Sequence, residues 1–203
     1  MAYIANTAFE IKISNHEFDS IANITGKYQS SATDAEICPG FLATRSAVTV
    51  NEGYYQVGPA GSTVTLNNTN TWVMVDAVDT DTAQKGIYAC NPFDVNMAAD
   101  GQGNFWKVGA NTLSIKVPAG YLTTWTKINF NNDNVYRFGV GNLSASLSTN
   151  TYFTIDDGLL VPGASAPATA GVPYFELVGT GKFTEGAYPA FDYVDVRACI
   201  SEA

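Results

Sequence analysis

The stretch Thr71-Trp72-Val73-Met74-Val75-Asp76-Ala77-Val78 decides the fold class. β-Branched and aromatic residues dominate it, and its side chains separate into two faces at a period of two, as a strand in a sheet requires. Working outward, runs of the same kind recur at short intervals between Gly, Asn, Asp and Pro. Strands are expected at Ser46 to Val50, Tyr54 to Val57, Thr63 to Leu66, Gly86 to Cys90, Thr112 to Val117, Val135 to Val140, Thr151 to Ile155, Pro173 to Val178 and Phe191 to Ala198. This spacing predicts a mostly β protein, a β-sandwich or β-barrel. In Phe191-Asp192-Tyr193-Val194-Asp195-Val196-Arg197 the strand is clear, but Asp192 and Asp195 leave one bend or bulge to be placed. Asp156-Asp157-Gly158 contains Asp-Gly, a hairpin signal.

One short helix is expected near the start. Ser14-Asn15-His16-Glu17 has the form of a capping box, Phe18, Ile21, Ala22 and Thr25 follow at helical spacing, and Gly26 is placed to end the helix. Tyr28 to Glu36 then reads as a polar, Ser-rich linker. The expected organisation is an N-terminal arm over residues 1–36, strand-like from Ala2 to Ile13 and then helical, followed by a β-rich domain over residues 37–203. The Asn-rich loop at 129–134 divides that domain into two small β-lobes, if two exist. The arm either reaches across to a neighbouring subunit, with Phe18 and Ile21 as its candidate contacts, or packs on its own sheet.

The 203 residues include 19 acidic and 10 basic side chains, for a net charge of -9. A protein that grips a phosphate backbone places Lys and Arg on it, so nucleic acid is disfavoured as a partner, and anionic membrane surfaces with it. Only 14% of residues are charged, against roughly 25% in an ordinary soluble domain. The first residues lack the basic and apolar regions of a signal peptide, which predicts synthesis in the cytoplasm. Cys38, Cys90 and Cys199 are odd in number and far apart, and read as reduced, mostly buried residues.

Catalytic patterns are scarce. The single histidine, His16, lies in the helix cap, and G-x-S-x-G, H-E-x-x-H and Walker patterns are missing. No catalytic residue, cofactor-binding residue or metal ligand is therefore assigned, and the protein is expected not to be an enzyme. Asp76, Asp79 and Asp81, and the run Asp100 to Asn104, offer oxygen atoms without EF-hand spacing, and turn chemistry accounts for both. Glu176, framed by apolar neighbours, is the acid a glycosidase reading would choose; the simpler reading puts it on the solvent face of a strand. Trp72 is expected in the core. Trp106 and Trp125, nearer turn signals, are the candidates for exposed rings that stack on sugars or partners, with Tyr54, Tyr55 and Tyr121.

The chain as a whole is acidic, β-rich and abundant in Thr, Asn and Gly. Three segments give it its character: Ile37-Cys38-Pro39-Gly40-Phe41-Leu42-Ala43-Thr44, the run from Gly58 to Leu66, and Gly86-Ile87-Tyr88-Ala89. In these features it resembles the virion structural proteins of tailed bacteriophages, and is most similar to capsid decoration, or cement, proteins. The resemblance spans residues 37 to 200 in style, without a diagnostic motif, and transfers no functional residue. It implies a homo-oligomer, a trimer being one form, that adds to a capsid protein lattice and resides in the virion. A tail or receptor-binding component is the nearest variant. A carbohydrate-binding module or lectin is the rival of a different class.

Overall fold

The computed structural model describes residues 6–12, 23–49, 71–77, 86–92, 97–99, 105–107, 116–130, 134–183 and 191–202. Their order is β1 Phe9–Lys12, β2 Asn23–Ser30, β3 Thr33–Asp34, β4 Leu42–Thr49, β5 Thr71–Asp76, β6 Ile87–Cys90, β7 Met97–Ala99, β8 Phe105–Lys107, β9 Thr123–Lys127, β10 Val135–Gly139, β11 Tyr152–Asp156, β12 Leu159–Gly163, β13 Pro173–Phe183 and β14 Phe191–Ile200. A 3-10 turn spans Val140–Asn142. The protein is mostly β, as its alternation predicts.

Among the described residues the strands form two large bodies and a separate antiparallel pair, β7–β8. β2, β5, β4, β6 and β9 follow one another in a sheet that closes through β2–β9 pairing into a five-stranded barrel, with β3 attached to β2. With five strands a closed ring cannot be antiparallel throughout, and the parallel pair is β2–β5, Gly26 opposite Trp72 and Tyr28 opposite Met74. The second body is an open, six-stranded antiparallel sheet in the order β1-β10-β14-β13-β11-β12. The chain passes from barrel to sheet between Lys127 and Val135, across the Asn-rich loop. Tyr136 and Phe130 anchor that passage: the Asn129 amide donates to the Tyr136 hydroxyl at 2.9 Å, and Phe130 packs on Phe175.

Strand β6 shows how the bodies join. In Ile87-Tyr88-Ala89-Cys90 all four residues are buried. Tyr88 and Cys90 point into the barrel with Tyr28, Ala43, Met74 and Trp125. Ile87 and Ala89 point the other way, into a second core with Leu42, Ala77 and Ile128 of the barrel and Phe9, Phe138, Phe153, Phe175, Val194 and Val196 of the sheet. A strand buried on both faces reads as a continuous apolar run. Each fully buried large side chain in this shared core contributes about 1.5–3 kcal/mol.

Several expectations are corrected. Residues 13–22, with most of the proposed helix, lie outside the described residues, but Asn23–Gly26 are strand β2, so Gly26 ends no helix. Gly26 is instead a close-approach position, where a Cβ would stand 2.8 Å from Met74 Cγ and 2.8 Å from the Trp72 carbonyl oxygen. Residues 23–36 are not an arm or linker. Tyr28 is fully buried in the barrel, and the hairpin to β3 turns through Ser31 and Ala32, both at positive φ, without the usual Asn-Gly signal. The irregularity expected in β14 lies in its partner: β13 shifts register between Leu177 and Gly179, while β14 keeps an unbroken register against β10. Of the expected strands, Tyr54 to Val57 and Thr63 to Leu66 lie outside the described residues, as does Thr112 to Ile115 of the strand expected at Thr112 to Val117, whose Val117 forms an isolated bridge with Ile37.

The Asp-Gly signal forms the hairpin it predicts. Asp157 (φ 49°) and Gly158 (φ 73°) make the two-residue turn joining β11 to β12, with Asp156 opposite Leu159. This turn docks on the barrel: the Leu42 amide donates to the Gly158 carbonyl at 2.9 Å, and the Gly158 amide donates to the Ala77 carbonyl at 3.1 Å. The Ile37 to Thr44 segment is a second junction. Asn142, buried, accepts from the Ala8 amide at 3.0 Å and donates to the Pro39 carbonyl at 2.8 Å. Gly40, at φ 77°, leaves no room for a side chain between Ala8 and Asn142.

Candidate functional site

Three clusters of polar and aromatic side chains stand apart from ordinary packing. The first occupies the outer face of the open sheet, the face turned away from the barrel. Alternation places Glu10 of β1, Arg137 of β10 and Asp195 of β14 side by side on it, Glu10 opposite Arg137 and Arg137 opposite Asp195. The Arg137 guanidinium grips Asp195 with two parallel hydrogen bonds, 2.7 Å and 3.0 Å, and reaches Glu10 at 3.4 Å. Tyr193 lies over it with its ring centroid 3.6 Å from the guanidinium carbon, and Phe183 follows at 5.7 Å. Phe183 in turn packs on Phe191 and Tyr193 at 4.8 Å and 4.9 Å. The Tyr193 ring covers Gly181 of β13 so closely that a Cβ there would collide with it. The hydrogen bonds to Asp195 hold the guanidinium in its charged form above the ordinary arginine range.

The second cluster seals one end of the barrel. The Tyr28 hydroxyl donates to Asp76 Oδ1 at 2.5 Å. Burial raises the Asp76 carboxyl above the usual carboxylate range; the Tyr28 hydrogen bond works against this, and the Asp157 carboxyl, in the docked hairpin turn, adds to it. Burial, then Asp76, push the Tyr28 phenol up as well. This is a carboxyl pair sharing a partly dry junction between barrel and sheet, with Phe41 against Gly158 and Tyr28 packing edge-on to Phe41. It ties two elements together.

The third cluster is at the opposite end of the barrel. Arg45 of β4 lies with its guanidinium carbon 4.8 Å from the Trp72 ring centroid and 5.8 Å from that of Tyr88. Trp72, expected in the core, is half-buried at this rim.

The residues named from the sequence fare unequally. Trp125 was expected to be exposed, but it is 0% exposed inside the barrel. Its indole N–H donates to the Gly26 carbonyl at 3.1 Å, and this buried bond removes Trp125 from any sugar platform or contact surface of the folded chain. Phe18 and Ile21 lie outside the described residues, as does the side chain of Trp106 on β8. Tyr121 is exposed; Tyr54 and Tyr55 lie outside the described residues, together with Asp79, Asp81 and Asp100 to Asn104. Glu176 sits on the outer sheet face with its carboxylate 3.6 Å from Arg197. Cys38 and Cys90 are buried and Cys199 is half-buried. Among the described residues, no group of three or more His, Cys, Asp and Glu side chains is arranged to hold a metal ion, and no helix is long and apolar enough to cross a membrane.

Sequence reasoning missed both arginines: the strand from Phe191 to Ala198 was legible, but its register, which puts Phe191, Tyr193 and Asp195 on one face, was not. What it lacked was the partner strand: Arg137 is 58 residues from Asp195 in the chain, and only the β10–β14 register brings them together. Neither a protein-family model, nor a curated relative, nor a solved structure matches the chain.

Proposed function

We propose that this is a non-enzymatic structural protein of a bacteriophage virion, which decorates and stabilises the capsid through protein–protein contacts and self-association. The observation that carries this reading is the combination of the ordered outer sheet face with the edge beside it. Phe183, Phe191, Tyr193 and Arg137 belong to the residue types that concentrate at interface cores. They are pre-ordered here by the bidentate Asp195 pair, so little side-chain entropy is left to lose on association.

The edge runs along β13. β11 pairs with β13 only at Phe175 and Glu176, so from Val178 to Phe183 the far side of β13 has no strand partner among the described residues. Val178, at the register shift, is 52% exposed. An unpaired edge of this length accepts a strand from a neighbour. The shift at Leu177/Gly179 and the charged Lys182 discourage indiscriminate pairing, which suits one specific neighbour.

Co-sedimentation with capsid particles, followed by mass spectrometry of the purified particles, tests the proposal. The expected result is saturable binding in a fixed ratio to the major shell protein. Recovery with tail structures alone would move the chain to the tail variant, and no recovery with particles would overturn the reading.

A further inference from the structure

The rim of the barrel carries a cation, Arg45, that has no counter-charge among the described residues. Arg45 is half-buried and stacked on Trp72 and Tyr88, yet among the described residues nothing accepts a hydrogen bond from its guanidinium or pairs with its charge. Acids are not in short supply, since the chain has 19 of them against 10 bases. Arg137 shows what the same protein does with a structural arginine: a similar aromatic flank, but with Asp195 and Glu10 closing the charge. A partly desolvated cation with open N–H donors holds an attraction that an incoming anion can satisfy.

Three features hold the Arg45 position. Arg45 stands opposite Met74, and β4 leaves register immediately after it, the next pair being Thr49 with Trp72. A bulge at a barrel rim re-aims the side chain beside it. Tyr88 is kept in place by Gly86, whose Cβ, if present, would stand 3.1 Å from the ring. A second cation adjoins: Lys127 stands directly opposite Tyr88 in the β6–β9 pair, two residues beyond the buried Trp125. Lys127 is half-buried and likewise has no acidic partner among the described residues. The acids whose partners are described lie elsewhere: Asp76 and Asp157 are at the sealed end, and Glu10 and Asp195 are on the open sheet.

We infer that the Arg45 rim of the barrel, with Trp72, Tyr88 and Lys127, is a binding site for a small oxyanion-bearing ligand. The guanidinium fork takes two oxygen atoms of a carboxylate or phosphate, Lys127 supplies a second positive charge, and the two rings exclude water from one side. This site is separate from the outer sheet face and does not depend on the assembly role.

The test is titration of the full chain at constant ionic strength with inorganic phosphate in one arm and glucuronate in the other. Binding is followed by the NMR signal of the Arg45 Nε–H and by the shift in melting temperature. The expected result is a saturable response in at least one arm that is weakened ~10-fold or more in Arg45→Gln and less in Arg45→Lys, which keeps the charge but loses the fork. Lys127→Gln should weaken the phosphate arm more than the glucuronate arm. A linear, non-saturating response of the wild-type chain in both arms would overturn the site whatever the variants do. So would a saturable response that Arg45→Gln leaves unchanged while its circular dichroism matches the wild type.

Discussion

The outer sheet face and the barrel rim each hold an arginine against aromatic rings, and they differ in one respect. Arg137 is neutralised by Asp195 at 2.7 Å and buttressed by Glu10, whereas Arg45 has rings on it and no carboxylate among its described neighbours. The first arrangement is self-sufficient. Its charge is satisfied within the sheet, beneath the half-buried rings of Tyr193 and Phe183. The second has no such partner among the described residues, and it is there that the oxyanion site is proposed. Stacking on an aromatic ring thus does not by itself define a role; what closes the charge does.

The largest effect expected from breaking this comparison is at Asp195. Asp195→Ala leaves Arg137, whose side chain is only 12% exposed, with the longer Glu10 contact alone, and should lower unfolding stability in urea by about 3 kcal/mol. Arg45→Gln, by contrast, should change stability by less than about 1 kcal/mol, because among the described residues no buried partner is orphaned. Equal losses from the two substitutions would erase the distinction.

Gly181→Ala comes next. Its added methyl group collides with the Tyr193 ring, so the ring must leave the Arg137 plane, at a cost of about 1–3 kcal/mol. A crystal structure of the variant should show Tyr193 rotated away while the Arg137–Asp195 pair persists. If the pair were lost as well, the ring rather than the carboxylate would be the organiser.

The smallest effect concerns the sealed end of the barrel. Because Asp76 holds its proton more tightly folded than unfolded, its contribution to stability is fully present below the ordinary carboxylate range. It is lost as pH rises through the raised folded value. Asp76→Asn, which cannot ionise, should match the wild type in acid and exceed it by up to about 1 kcal/mol at neutral pH. Melting curves across that range check the sign; a variant less stable than wild type at neutral pH would mean that the Tyr28 bond requires the charged carboxylate.

How much of this was legible in the sequence follows from the range of the interactions involved. Strands β5, β6, β10, β11 and β14 were visible because alternation or a continuous apolar run is a local signal, and the Asp157-Gly158 turn because its backbone demands particular residues. Strand β2 was misread because Asn23 to Ser30 has few β-branched residues; its place depends on Tyr28 filling the barrel and on Gly26 making room for Met74. Trp125 was misplaced for a related reason. Its nearness to turn signals suggested exposure, but the barrel closes around it through β2, whose Gly26, 99 residues away in the chain, accepts its hydrogen bond. The two arginine clusters were illegible because each is assembled from strands distant in the chain.

The central claim is that the chain works by presenting the outer sheet face and the β13 edge to neighbours. Sedimentation equilibrium of the wild type against the double variant Val178→Asp, Thr180→Asp tests it most directly, since both positions are exposed on that edge and carry none of the core. A concentration-dependent oligomer for the wild type and a folded monomer for the variant are the predicted results. A wild type that remains monomeric at the highest concentrations reached, or a variant that associates as strongly as the wild type, would contradict the account.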